Sequence, residues 1–390
     1  MSSCPNNCSL LGACVHAVCV CDSGWTGADC SAADLLLLDV SHGYRPAGVA
    51  SSWGGRAIEH DGTWHLFASQ FVRDCPLSKW LHNSVVVRAT SDNAAGPYTL
   101  AETVFAPFHH NPTVVGPTPD GYYLLFAIGE FNASNIVDCS SGVTPEPPSP
   151  PGCAVAQCPW PAGRIVLSAA RSPAGPWSEP RVVLRNDDRP TQNRSDWDCF
   201  VTNPSAALLP NGTIALVFSS VPCEGQFEEA LGIAFAPSWR GPFTQSPRPV
   251  WRKTGPAYPP PATTLGNAED PFIWRNARGW HVVAHSQGPT NICGDGSAAR
   301  PWNMSNACGV HFFSRSLHGP WTPSLTPVYD GRVTLRNGSA ATLLTMQRPQ
   351  LVFGDDGVTP THLFVGGSFA EFNRGTTMGV ERTFAFEFRT

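Results

Sequence analysis

The sequence has no hydrophobic run long enough to cross a membrane, no cluster of basic residues and few charges of either sign. The Leu35–Leu38 run is far shorter than the roughly 20 apolar residues that span a bilayer. Charged residues make up only 14% of the 390, and 25 Lys and Arg against 30 Asp and Glu leave a formal net charge of −5. That balance, without a Lys/Arg run, lacks the electrostatic footprint of a nucleic-acid or anionic-membrane partner. No signal-peptide pattern is visible either: Met1-Ser2-Ser3 leads straight into Cys4, and the chain is expected to be a mature form whose leader has been removed.

What is abundant is equally informative. Proline (38) and glycine (36) are plentiful, yet 42% of residues are hydrophobic, with 13 Trp and 21 Phe, so the composition is not that of a disordered chain. It reads as an all-β protein with many tight turns. The 14 cysteines are an even count, and six of them fall in the first 30 residues. Asn-x-Ser/Thr sequons stand at Asn7, Asn132, Asn193, Asn211, Asn303 and Asn337. Together they predict a secreted protein folded in an oxidising compartment.

The first six cysteines run Cys4-x3-Cys8-x5-Cys14-x4-Cys19-x-Cys21-x8-Cys30, with Gly24-Trp25-Thr26-Gly27 inside the last interval. Spacing alone leaves about 15 pairings open. The pattern resembles an EGF-like module, and the resemblance implies Cys4–Cys14, Cys8–Cys19 and Cys21–Cys30. So short a segment cannot bury a useful core, and its disulfides must hold it together. No acidic residue precedes the first cysteine, so no calcium is expected. A spacer or stability cap is the favoured role over a receptor ligand.

Two motifs recur through the rest of the chain, and such internal repeats define the architecture. One is a Gly-Pro-aromatic turn after a short strand: Gly96-Pro97-Tyr98, Gly175-Pro176-Trp177, Gly241-Pro242-Phe243 and Gly319-Pro320-Trp321. The other is a strand pair that opens on a polar residue and proline: Asn111-Pro112, Asn203-Pro204, Asp270-Pro271 and Arg348-Pro349. A degenerate first copy runs through Arg56-Ala57-Ile58 and Asp61-Gly62. Asp-Gly and Asn-Gly pairs inside these copies are hairpin turns. Five units of four strands predict a five-bladed β-propeller over residues 33–390, after an EGF-like module over 1–32. Either Thr383–Phe388 or Leu35–Val40 is expected to close the ring. The eight propeller cysteines are expected to pair locally, with Cys293–Cys308 and Cys199–Cys223 foremost.

In a propeller the first strand of each blade lines the central funnel. The positions before each proline therefore converge on one axial pocket: the Gly54–Arg56 stretch, Asn111 beside His110, Asn203, Glu269-Asp270, and Arg348. Polar residues ahead of proline also cap strands, but this set carries the hydrogen-bonding groups that bind sugar hydroxyls.

At these residues the chain resembles the five-bladed glycoside hydrolases of families 43 and 62 and, more distantly, the family 32 fructosidases, over about residues 45 to 390. The resemblance implies an acid in the fourth blade, which falls on Glu269-Asp270-Pro271 and makes Glu269 the proton donor. It also implies carboxylates in the first and third blades, where this sequence has Gly55-Arg56 and Asn203. Glycoside hydrolysis needs two carboxyl groups across the scissile bond. Glu269 and Asp270 are consecutive on a strand and are expected to face opposite ways unless a bulge intervenes. Asp198 is the first choice of partner, then Asp196, Glu130 and Glu371, with Trp197 offering a stacking surface. His110, Asn111, Asn203, Arg348, Arg56, Trp197, His285 and Glu130 form the expected substrate-binding set.

No metal-ligand spacing is present, and no metal or cofactor is expected. There is no Gly-x-Ser-x-Gly elbow, phosphate loop or dinucleotide fingerprint. The expected function is that of a monomeric, exo-acting glycosidase on a furanoside or pentoside. The alternative is a catalytically silent, glycan-binding propeller used in adhesion.

Overall fold

The computed structural model of the chain describes residues 4–48, 50–129, 136–141, 163–185, 197–198, 200–221, 229–252, 267–287, 307–324, 326–369 and 381–390. Five antiparallel sheets follow one another along the chain. Blade I comprises Ser52–His60, Thr63–Phe71, Ser84–Ser91 and Thr99–Phe105. Blade II comprises His110–Val115, Tyr123–Ile128, Arg164–Ala170 and Arg181–Arg185. Blade III holds Phe200–Leu208, Ile214–Val221 and Ala230–Ala236, with Thr244–Gln245 and Trp251–Arg252 both paired to the last of these. Blade IV holds Asn267–Arg275, Trp280–Gln287, Gly309–Ser314 and Thr322–Pro323. Among the described residues blade V has three strands, Thr345–Phe353, Pro360–Ser368 and Arg382–Glu387. The first strands of the five blades touch one another in cyclic order, I–II–III–IV–V–I, which closes the ring. The all-β reading and the five-bladed propeller are therefore what the chain adopts.

The local chemistry explains these elements. At the first hairpin of blade I, Asp61 (φ 51°) and Gly62 (φ 76°) fill a two-residue turn that needs positive φ at both positions. His110–Val115 and Tyr123–Ile128 are buried at every residue, because each blade is covered by a neighbour on both faces. Apolar side chains fill the gaps between blades: Leu124, Ile165, Val201 and Phe218 between II and III, and Val217, Ile233, Val282 and Phe312 between III and IV.

Both candidate ring closers take part in the closure. Leu35 bridges Phe388 and Tyr44 bridges Thr383, each antiparallel, so the segment after the EGF-like module lies along the outer edge of blade V. Tyr44 also bridges Tyr98 of blade I.

The three disulfides of the N-terminal module are Cys4–Cys14, Cys8–Cys19 and Cys21–Cys30, as the resemblance implied. The module is packed onto the ring. Trp25 stacks on Trp274 with parallel planes and centroids 5.9 Å apart, and Cys8, Leu11 and Cys30 share a core with Phe272, Leu351 and Phe386. Asn276 Nδ2 donates to the Leu10 carbonyl at 2.8 Å, and Arg278 pairs with Asp22. Local pairing fails for one propeller disulfide: Cys75 bonds Cys139, 64 residues on, joining a connection of blade I to one of blade II. Cys308 is disulfide-bonded, while the Cys293–Cys308 and Cys199–Cys223 pairings lie outside the described residues.

Candidate active site

Every inner strand carries the same irregularity at the same height. Strand register shifts between Trp53 and Arg56, opposite Asn111, between Thr202 and Ser205, between Glu269 and Phe272, and between Gln347 and Gln350. At the centre of each shift one residue adopts a left-handed backbone: Gly54 (φ 56°), Asn111 (50°), Asn203 (51°), Asp270 (57°) and Arg348 (54°). Gly, Asn and Asp visit this region readily. Arg does not, and a residue held there carries about 1–3 kcal/mol of strain that its surroundings must offset. The bulges overturn the expected alternation. Because the strand is interrupted between Glu269 and Phe272, Glu269 and Asp270 both turn into the axial mouth.

There the side chains form one buried network. Asn111 Nδ2 donates to Asn203 Oδ1 at 2.8 Å and to Asp270 Oδ1 at 3.2 Å. Asn203 Nδ2 donates to Glu269 Oε1 at 3.0 Å. Arg348 donates to the carbonyls of Asn111 (2.9 Å) and Pro204 (2.8 Å), and its Nη1 lies 3.5 Å from Asp270 Oδ1. His285 lies between the carboxylates, with Nε2 at 3.5 Å from Glu269 Oε2 and Nδ1 at 3.3 Å from Asp270 Oδ2. His110 pairs with Ser84 Oγ at 2.7 Å and packs beside Trp80. Gly54 has no room for a side chain, since a β-carbon there would meet Arg348 Cγ at 2.4 Å.

The cluster contains a carboxyl group the sequence reading missed. Glu229, buried just ahead of the third strand of blade III, is hydrogen-bonded to Glu269. Burial and the neighbouring Glu269 and Asp270 charges push its carboxyl well above the ordinary range, so it is the protonated donor of the pair. Burial and the Asp270 charge also raise Glu269, to about 7. Burial alone would raise Asp270 too, but His285 and the Arg348 guanidinium outweigh it and hold that carboxyl below its usual value. Burial drives His110 down to about 3 and keeps it neutral. The only sequence signal for Glu229 is an acidic residue flush against a buried apolar strand.

The same five-bladed ring occurs in known glycoside hydrolases. A family 117 enzyme of the marine bacterium Zobellia galactanivorans shares 14% identity at a TM-score of 0.54, covering 91% of this chain and 89% of that one. A thermostable family-43 glycoside hydrolase shares 10% at 0.55, covering 90% and 92%. The catalytic domain of the GH62 alpha-L-arabinofuranosidase of Coprinopsis cinerea shares 13% at 0.53, covering 94% and 97%. Identities this low speak to the fold. The family model of the Teneurin-like EGF domain matches residues 4–33. No curated protein sequence matches the chain significantly.

Of the residues singled out from sequence, the structure gathers Asn111, Asn203, Glu269, Asp270, His285 and Arg348 into this cluster, with His110 alongside. It places others elsewhere. Trp197 is 4% exposed in the apolar core between blades II and III, so it offers no stacking face. Asp198 is buried and accepts a hydrogen bond from Gln245 on an outer strand of blade III, away from the axis. Arg56 lies below the bulge and faces the opposite mouth, its guanidinium 5.0 Å from the Phe272 ring centre. Glu130, Asp196 and Glu371 lie outside the described residues. Glu269, Asp270 and His285 offer ligand atoms within 4.8 Å of one another and could hold a cation, but the Arg348 charge beside Asp270 opposes one.

Proposed function

We propose that this protein is a secreted glycosidase that releases furanosyl or pentosyl units from the end of a glycan, with Glu269 as the proton donor. The observation that carries this reading is the asymmetry of the cluster. Glu269 keeps 22% of its side chain exposed at the axial mouth, whereas Asp270, Glu229, His285 and Arg348 behind it are buried. A general acid works best when its pKa lies near the working pH, and Glu269 is raised to about 7 by burial and the Asp270 charge. In this reading the Glu269 proton passes to the glycosidic oxygen as the C–O bond breaks, and water then adds to the sugar as it gives a proton to a second carboxylate. The Asn111 and Asn203 amides hold Glu269 and Asp270 in place.

The pocket is closed below the cluster. Arg348 spans the axis between the Asn111 and Pro204 carbonyls, and Thr113 Oγ1 donates to Gln350 Oε1 at 3.2 Å beneath it. An axis plugged at this depth admits substrate to Glu269 from its own mouth only. Asp270 is committed to Arg348 and Glu229 to Glu269, so both tune the acid and neither is free to attack. Glu130 and Glu371, each a few residues beyond the end of a second strand, are the candidates for the second carboxyl group.

One observation favours a second reading. The bulge centre of blade I is Gly54, just before the Gly55-Arg56 position expected from sequence, and a propeller with no carboxylate base there would bind glycans without cleaving them. Turnover of a panel of aryl furanosides and pyranosides by the parent, Glu269→Gln and Asp270→Asn separates the two. Cleavage by the parent that Glu269→Gln abolishes supports the enzyme. No cleavage of any substrate, with glycan-array binding retained, leaves the binding protein.

A further inference from the structure

The ring axis has a second end, beyond Arg348. On the face remote from Glu269, the inner strands enclose a cavity of about 590 Å³, inside the range of about 300–1,000 Å³ usual for small-molecule sites. Trp64, Trp280 and Phe353 contribute to its walls. Arg56 also lines it, and its Nη1 is fully enclosed with no hydrogen-bond partner among the described residues. Arg56 as a whole is half-buried, but a guanidinium nitrogen enclosed without an acceptor is costly, because its N–H donors lose water and gain nothing in exchange. Burial lowers Arg56 to about 10, and no neighbouring charge opposes the effect. The other charged groups lining the cavity are engaged or balanced. Glu59 accepts from the Gly62 amide at 2.6 Å, and Arg275 lies over the Trp280 ring at 5.5 Å. Asp355 is the remaining one. Among the described residues, two cations and two carboxylates line it and leave no net charge.

We infer that this cavity is a second binding site, distinct from the Glu269 cluster, that takes a sugar acid through its carboxylate on Arg56. A guanidinium matches a carboxylate with two parallel hydrogen bonds. The aromatic walls suit the faces of a sugar ring. Glu59 and Asp355 can accept ring hydroxyls, while their charges disfavour a dianion such as a phosphate ester. The ligand is therefore a monoanion of one or two rings, of the hexuronate class. The site does not depend on the proposed glycosidase activity.

Calorimetric titration of the full chain with glucuronate tests the inference, with glucose as the neutral control. The parent should bind glucuronate saturably and glucose at least about tenfold more weakly, the loss of a charged hydrogen bond. Arg56→Met should lose at least about tenfold in glucuronate affinity by the same measure, while Glu269→Gln should bind as the parent does. If Arg56→Met does not fold, Arg56→Lys decides, since it keeps the charge but loses the paired donors and should bind measurably more weakly. Absence of saturable glucuronate binding overturns the site. So do equal affinities for glucose and glucuronate, affinity unchanged in the Arg56 variants, or affinity lost in Glu269→Gln.

Discussion

Blades I and IV bend at the same height with nearly the same backbone, φ 56° at Gly54 and 57° at Asp270, yet one presents a hydrogen atom and the other a carboxylate. The fold requires the left-handed bulge in all five blades. What it leaves open is the side chain. In blade I that freedom is surrendered to a neighbour, because the space over Gly54 is filled by the stem of Arg348. In blade IV it is used for Asp270, which Arg348 in turn keeps ionised. The missing first-blade carboxylate and the fifth-blade arginine are thus two sides of one exchange.

The comparison can be broken most severely at its acid. If Glu269 protonates the leaving group, Glu269→Gln lowers kcat on an aryl glycoside by about 10²–10⁴ while glycan binding on an array survives. Next in size is the arginine. Arg348→Met leaves the buried Asp270 with Asn111 and His285 but without its guanidinium and should cost about 3–5 kcal/mol in a denaturant melt. The glycine follows: Gly54→Ala forces a methyl against Arg348 and should cost about 1–3 kcal/mol. In an Arg348→Ala background that cost should shrink, and a double-mutant cycle reads the coupling.

Two smaller effects concern protons. The Asp270 charge helps to raise Glu269, so Asp270→Asn should move the alkaline limb of the pH–rate profile to lower pH. A carboxyl raised in the folded state binds more protons than in the unfolded chain, so stability falls as pH rises from the ordinary 4.5 toward the folded value, about 7 for Glu269. Glu229→Gln replaces one such acid by a neutral group of the same shape. It should flatten that decline when unfolding is followed from pH 4.5 to 7.

Much of this was legible in the sequence. The Gly-Pro-aromatic turns and the polar-residue-proline pairs mark the blades because proline and glycine restrict the backbone whatever surrounds them. The convergence of Asn111, Asn203, Asp270 and Arg348 follows from the ring once five copies are counted. Other features depend on tertiary geometry. Strict alternation separates Glu269 from Asp270, and only the bulge reunites them. Trp197 reads as a sugar platform beside Asp198, but its indole is needed between blades II and III. Glu229 carries no motif and matters only because the third strand of blade III delivers it beside Glu269.

The strip joining the N-terminal module to the ring has a practical consequence. Leu36 and Leu38 donate backbone hydrogen bonds to Glu387 and Thr334, Tyr44 exchanges a pair with Thr383, and Trp25 rests on Phe388. The beginning and the end of the chain thus fasten each other like the two halves of a clasp. Trimming the molecule at residue 32 would leave that strip in place but bare Trp274 and Phe388, which Trp25 covers, so the cysteine-rich unit cannot be discarded as a removable tag. Heating the intact protein should melt both parts together in a single calorimetric peak.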